Sequence, residues 1–167
     1  MRFSALLLTL LLALPLAPAS ASSTEQHHTV IGWIEAIKIS PTGEQVVQAK
    51  IDSGADNSSL HATEIEYIEK DQQTWVRFKT IQGISYETPL LKKTSIKMKD
   101  GNRQQRPVIV ANLCIGNRLN EIRLNLVDRG HFKYPALIGR SAMSGYLIDP
   151  KNKHLAGHPD CGLTDNR

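Results

Sequence analysis

The 167-residue sequence predicts an all-β fold, a small β-barrel or sandwich with one short helix near its C-terminal end. Three observations carry that expectation. Short runs of Val, Ile, Leu and aromatic residues recur with a period of two; Gly, Pro, Asn and Asp interrupt them at short intervals; and only the stretch just after Gly139 reads as helical. Many short strands spaced in this way belong to closed or layered sheets.

Residues 1–21 stand apart from that pattern. Arg2 precedes an apolar stretch over residues 5–16, and Ala19-Ser20-Ala21 supplies small residues of the Ala-x-Ala cleavage type. This is the pattern of a secretory signal peptide. The apolar stretch falls short of the ~20 residues that span a bilayer, so no stable membrane insertion is expected after cleavage. A polar leader over residues 22–28 and one domain over residues 29–167 follow, the whole mature chain of about 146 residues being an ordinary single-domain length. The expected location is outside the cytoplasm, periplasmic or secreted.

Val30, Ile34, Ile37 and Ile39 form an apolar first strand, Pro41-Thr42-Gly43-Glu44 turns it, and residues 46–51 return. Residues 74–81 alternate around Trp75 and Phe78 until Gln82-Gly83 breaks them before residues 84–91. Residues 95–98 and 107–115 read as a hairpin around Asp100-Gly101, a strong turn signal. Asn117 turns the chain into residues 119–127, where Ile122, Leu124 and Leu126 alternate with Arg123 and Asn125. A short helix over residues 140–144 and a last strand over residues 146–148 complete the series.

The chemistry centres on Asp52-Ser53-Gly54-Ala55. An apolar-flanked strand that ends in an acid, a hydroxyl and a glycine delivers a carboxylate into a tight turn, and Gly54 leaves room for a substrate to approach the backbone. Taken alone, Asp-Ser-Gly is also a common surface turn. The wider segment, Asp52-Ser53-Gly54-Ala55-Asp56-Asn57-Ser58-Ser59-Leu60, resembles the active-site loop of the retropepsins, the retroviral-type aspartic proteases. Leu137-Ile138-Gly139-Arg140 resembles the segment that precedes their single helix, and it follows the first motif in the right order.

The sequence more specifically resembles a bacterial family of retropepsin-like peptidases that has carried the label ATP-dependent zinc protease. Ile31-Gly32-Trp33-Ile34-Glu35, Ala49-Lys50-Ile51-Asp52, Leu60-His61-Ala62 and Tyr134-Pro135 carry that likeness, with Trp75-Val76-Arg77-Phe78 and Arg106-Pro107-Val108 between them. Asp56 departs from it, because members often place a basic residue there.

The resemblance implies a closed acid-protease barrel and an endopeptidase acting on proteins or peptides. It implies Asp52 as the catalytic acid, Ser53 bracing two loops across a dimer, Gly54 and Ala55 beside the substrate, and Asp56 with Arg140, next to Gly139, tying the loop to the helix. Aspartic proteases activate water between two carboxylates that share one proton. With one Asp-Ser-Gly in the chain, the resemblance implies a homodimer with Asp52 from each subunit. A flap must cover such a cleft, and Gln82-Gly83 is the candidate. A non-catalytic periplasmic binding or scaffold module with the same fold is the alternative.

No cofactor is expected. The six histidines include no His-Glu-x-x-His, and His154 and His158, four apart, are separated by Gly157 and followed by Pro159. No Gly-rich loop ends in Lys-Ser or Lys-Thr, so neither zinc nor ATP dependence has support in the residues. The formal net charge of +4 falls to +3 once Arg2 leaves with the leader. Much of the excess lies in Lys92, Lys93, Lys97, Lys99, Arg103 and Arg106, which reads as a solvated hairpin; the base-stacking aromatics of a nucleic-acid surface are not interleaved there, so no nucleic-acid partner is expected. Cys114 and Cys161 suit a disulfide in an exported protein, closing a loop of about 46 residues worth ~4 kcal/mol, with a catalytic thiol as the other use.

Overall fold

The computed structural model describes residues 28–40, 45–98 and 100–162. The expected signal peptide, most of the polar leader and the turn at Pro41-Thr42-Gly43-Glu44 lie outside them. The strands are β1 (Thr29–Gly32), β2 (Ile34–Ser40), β3 (Val46–Asp52), β4 (Ser58–His61), β5 (Thr63–Lys70) and β6 (Gln73–Lys79). They continue with β7 (Ser85–Pro89), β8 (Lys92–Lys97), β9 (Arg103–Ile115), β10 (Arg118–Val127), β11 (Ala136–Gly139) and β12 (Tyr146–Asp149).

Six strands close a barrel in the order β10-β4-β11-β3-β2-β9, with β9 pairing back onto β10 and β8 extending β9 outward. The fold is therefore the closed all-β barrel expected of a retropepsin-like chain. Alternation builds its interior: Ile37, Ile39, Ile109, Leu113, Ile115, Leu124, Leu126 and Ile138 are all fully buried. The β9–β10 hairpin turns at Gly116-Asn117, where Gly116 takes a positive φ of 60° at the first turn position. The β8–β9 hairpin turns at Asp100-Gly101, and its strands carry the basic ribbon.

β11 is inserted between β3 and β4, parallel to β3 and antiparallel to β4. Two consecutive strands are thus separated by a late one. The loop over residues 53–57 has to cross the end of β11, and this crossing builds the site.

Four local features differ from the sequence reading. The first apolar run is two strands, because Gly32 and Trp33 bend against the C-terminal segment: a Cβ on Gly32 would lie 2.5 Å from the Asn152 carbonyl oxygen. β1 leaves the barrel and pairs in parallel with β12. β5 is a strand that the alternation rule passes over, since Glu64, Glu66 and Glu69 interleave with apolar residues that are only partly buried. The helix after Gly139 is a single 3₁₀ turn, Arg140–Ala142, ended by the return to β12 through Gly145 at φ 82°.

Cys114 and Cys161 are disulfide-bonded, fixing the tail to β9. Glu35 secures the same tail from the other side. Its fully buried carboxylate accepts the backbone N–H of Gly32, of Leu155 at 2.9 Å and of Ala156 at 3.4 Å. Among the described residues no helix is long and apolar enough to cross a membrane.

Candidate active site

β3 runs from the barrel interior, through buried Ala49 and Ile51, to Asp52 at its end. The carboxylate stays partly open, its side chain 27% exposed. Its Oδ1 accepts the Gly54 N–H at 3.1 Å, and Ala55 N–H donates to the Asp52 carbonyl at 3.2 Å, which closes the turn. The Lys50 ammonium lies 3.2 Å from Oδ2. Lys50 shares a face of β3 with Asp52, two residues on, which is why the two side chains meet.

The crossing over β11 depends on Gly139. It is the register partner of Asp52, and a Cβ there would lie 2.7 Å from the backbone of Asp56 and of Asn57. Gly139 N–H donates to Ser58 Oγ at 3.1 Å. The next residues then grip the loop through its carbonyls. Arg140 N–H donates to Ala55 O at 2.9 Å, Arg140 Nη1 to Ser53 O at 2.9 Å and Gly54 O at 3.2 Å, and Ser141 Oγ to Asp56 O at 2.7 Å.

The Arg140–Asp56 ion pair is the lesser part of this grip. Its partners stand 3.7 Å apart with both side chains more than half exposed, a geometry worth ~0–1 kcal/mol. Ser53 is exposed, Ala55 half-buried, and both sit with Asp52 in one turn. Gln82 and Gly83 form the exposed turn between β6 and β7 of a three-stranded sheet, β5-β6-β7, where Gly83 takes φ 78°. From the β8–β9 hairpin, Lys92 and Thr94 line a pocket of about 70 Å³ with Asn57 and Ser58.

Two residues beside Asp52 were not singled out for the site from sequence. Lys50 was visible only as part of a motif. Arg129 is buried, donating to Ser59 Oγ at 3.0 Å and Tyr134 O at 3.3 Å. Burial pushes its pKa down, repulsion from Arg106 adds to that, and attraction to Asp52 opposes both. Only the fold brings these three charges together. His61 is buried below them and accepts the Arg129 N–H on Nδ1 at 3.0 Å. Asp128 Oδ1 approaches the same nitrogen at 3.5 Å. Among the described residues, no group of three or more His, Cys, Asp and Glu is placed to hold a metal ion.

Residues 30–159 match a family model described as RimB-like, retropepsin-like aspartic endopeptidase RimB. Among curated proteins, the chain is 32% identical over 136 residues to a probable alpha-L-glutamate ligase of Parasynechococcus marenigrum, a match covering 77% of this chain and 29% of that one. It is 31% identical over 136 residues to a probable alpha-L-glutamate ligase of Shewanella pealeana, covering 77% of this chain and 30% of the relative. The chain therefore spans about three tenths of the length of the curated relatives it matches. A crystal structure of a Legionella pneumophila protein of unknown function is similar with a TM-score of 0.66 and 30% identity, covering 76% of this chain and 97% of that one.

Proposed function

The chain belongs to the RimB-like family of retropepsin-like aspartic endopeptidases, and from that premise we propose that it is an aspartic-type peptide hydrolase that works as a homodimer. The observation that carries this reading is the Asp52 turn: a partly exposed carboxylate at a strand end, in a loop held by Gly139, Arg140 and Ser141. Water is activated between Asp52 of one subunit and Asp52 of the other. One carboxylate takes a proton from the water while its protonated counterpart gives one to the scissile carbonyl. Ser53, exposed in the same turn, braces the two loops; Gly54 and Ala55 border the substrate.

A cover excludes water from such a cleft. Gln82-Gly83, at the exposed tip of the β6–β7 hairpin, is the candidate for it. We place the mature protein outside the cytoplasm, most simply in a periplasm. The leader pattern of residues 1–21 and the Cys114–Cys161 disulfide support that location. The ligase name of the curated relatives describes proteins of which this chain spans the smaller part, and no ligase role is proposed.

One observation favours a second reading, a binding or scaffold module. Both oxygens of Asp52 already have partners within the chain, Gly54 N–H and the Lys50 ammonium, so the acid could serve the turn alone. Digestion of an unstructured protein library by residues 22–167 from acidic to neutral pH, beside Asp52→Asn, separates the two. Cleavage blocked by an aspartic-protease inhibitor and absent in Asp52→Asn establishes the hydrolase; equal behaviour of the two proteins removes Asp52 from the chemistry.

A further inference from the structure

One imidazole nitrogen has two neighbours that compete for it. His61 Nδ1 accepts the Arg129 N–H at 3.0 Å, and Asp128 Oδ1 stands 3.5 Å from the same atom. Register sets up the meeting. His61 is the last residue of β4 and the partner of Val127, the last residue of β10, so the chain leaves the barrel beside the ring. Gly130 steadies the carboxylate there: its N–H donates to Asp128 Oδ1 at 2.7 Å, and a Cβ on Gly130 would lie 3.6 Å from His61 Cε1.

The two neighbours suit different protonation states. A neutral Nδ1 accepts from a backbone amide, whereas a protonated one is a donor and turns to a carboxylate. His61 is buried and Asp128 is largely exposed. The charged groups that face the ring are Asp128 and the Arg129 guanidinium, which is bonded to Ser59 on the same face of β4. β10 and the approach to β11 flank the ring with Val127 and with Pro135, whose carbonyl accepts the His61 N–H at 2.7 Å.

The residue governed by this choice is Arg129. Its main chain is held through His61, while its side chain donates to Ser59 Oγ at 3.0 Å and Tyr134 O at 3.3 Å and is attracted by Asp52. We propose that His61 is a pH-sensitive positioning residue for the Asp52 site: neutral, it anchors Arg129 through the backbone N–H; protonated, it donates to Asp128 instead and releases the segment that carries Arg129. Acidification thereby loosens the cation nearest the candidate catalytic acid from behind. The bearing on catalysis rests on the peptide-hydrolase reading, whereas the switch itself belongs to His61, Asp128 and Arg129.

Magnetic resonance of the ¹⁵N- and ¹³C-labelled protein tests this without turnover, so a failure of the switch and a failure of hydrolysis are told apart. From about pH 8 down to about pH 5, the span in which histidines ordinarily change charge, the His61 ring and the Arg129 amide should shift with one midpoint. Exchange protection of that amide should fall about tenfold, the size of one lost backbone hydrogen bond. The Asp52 carboxyl signal should show a step at the same midpoint. His61→Asn, whose side-chain oxygen accepts the Arg129 N–H and does not titrate, should keep the protection and lose the response. Asp128→Asn should move the midpoint to lower pH. The proposal is overturned if the ring stays neutral across the span, if the Arg129 amide stays put while the ring titrates, or if Asp52 shows no step. It is equally overturned if the response survives His61→Asn or if Asp128→Asn leaves the midpoint in place. The first three outcomes come from the unmutated protein, so the test stands even where a variant fails to fold.

Discussion

Lys50 Nζ stands 3.2 Å from Asp52 Oδ2, two residues along the same strand, so the candidate catalytic acid carries its counter-charge on its own β-strand. The pair is 45% exposed on the lysine side. Partly solvated ion pairs contribute ~0–1 kcal/mol. Lys50→Met should therefore lower stability by less than about 1 kcal/mol in urea denaturation, while peptide cleavage changes by threefold or more because the carboxylate loses its neighbour. A stability loss above ~2 kcal/mol would make Lys50 a structural strut instead.

Gly139→Ala should be among the most damaging single substitutions in the barrel. The new methyl group would meet three backbone atoms at 2.7 Å, in a place where neither β11 nor the crossing loop can retreat without breaking the Gly139–Ser58 bond. A loss of about 3 kcal/mol or more is expected, at the upper end for overpacking. Gly83→Ala gives the contrast. Nothing lies within 4 Å of its added Cβ, and only the positive φ of 78° resists it, so roughly 1 kcal/mol should be lost. Thermal unfolding of the two variants side by side checks the ordering.

Glu35→Gln should loosen the C-terminal segment. The carboxylate accepts three backbone N–H groups inside the protein, and an amide would present its own N–H₂ to some of those donors. The cost should be roughly 2 kcal/mol, and hydrogen exchange at Leu155 and Ala156 should accelerate while the barrel strands keep their protection. Unchanged exchange at those two amides would show that the disulfide and the backbone bonds from His154 to Ile34 and from Asp160 to Gly116 hold the tail without Glu35.

Tyr146 links stability to alkaline pH. Burial pushes its phenol from 10.0 up to about 12, with nearby Arg118 pulling the other way. The folded state thus keeps the neutral phenol where the unfolded chain ionises, so the stabilisation is complete below pH 10 and is lost as pH climbs from about 10 to about 12. About 2–3 kcal/mol should disappear across that window. Tyr146→Phe should flatten the dependence and cost roughly 1 kcal/mol at neutral pH, because the hydroxyl donates to the Arg118 carbonyl at 3.3 Å.

The barrel was legible in the chain because much of its wall alternates in sequence; β10 shows it with Ile122, Leu124 and Leu126 buried and Arg123 exposed, although Asn125 and Val127 are buried too. β5 was not, since a strand packed on one neighbour and largely open to water has no apolar face to announce it. The Asp52 turn and its tie to Gly139 and Arg140 were readable through motif resemblance alone. Their physical connection is a parallel pairing of distant segments, which periodicity does not encode. Arg129 was beyond reach for the same reason, because its neighbours Ser59, Tyr134 and Asp52 meet only after the barrel closes. Glu35 sits in a quoted motif, but a buried acid that binds a tail 120 residues away leaves no local mark.

The insertion of β11 between β3 and β4 also sets a timetable. Arg140 and Ser53 are 87 residues apart in sequence, and the loop that carries Asp52 has nothing to lean on until β11 has been made and seated. Pairings of such long range form late, after shorter hairpins such as β9–β10. During synthesis, a chain of this design would carry Asp52 in an unformed loop until β11 has been made and seated. On the proposed hydrolase reading, assembly order itself then acts as the safety catch, because the cutting edge forms only once β11 is in place.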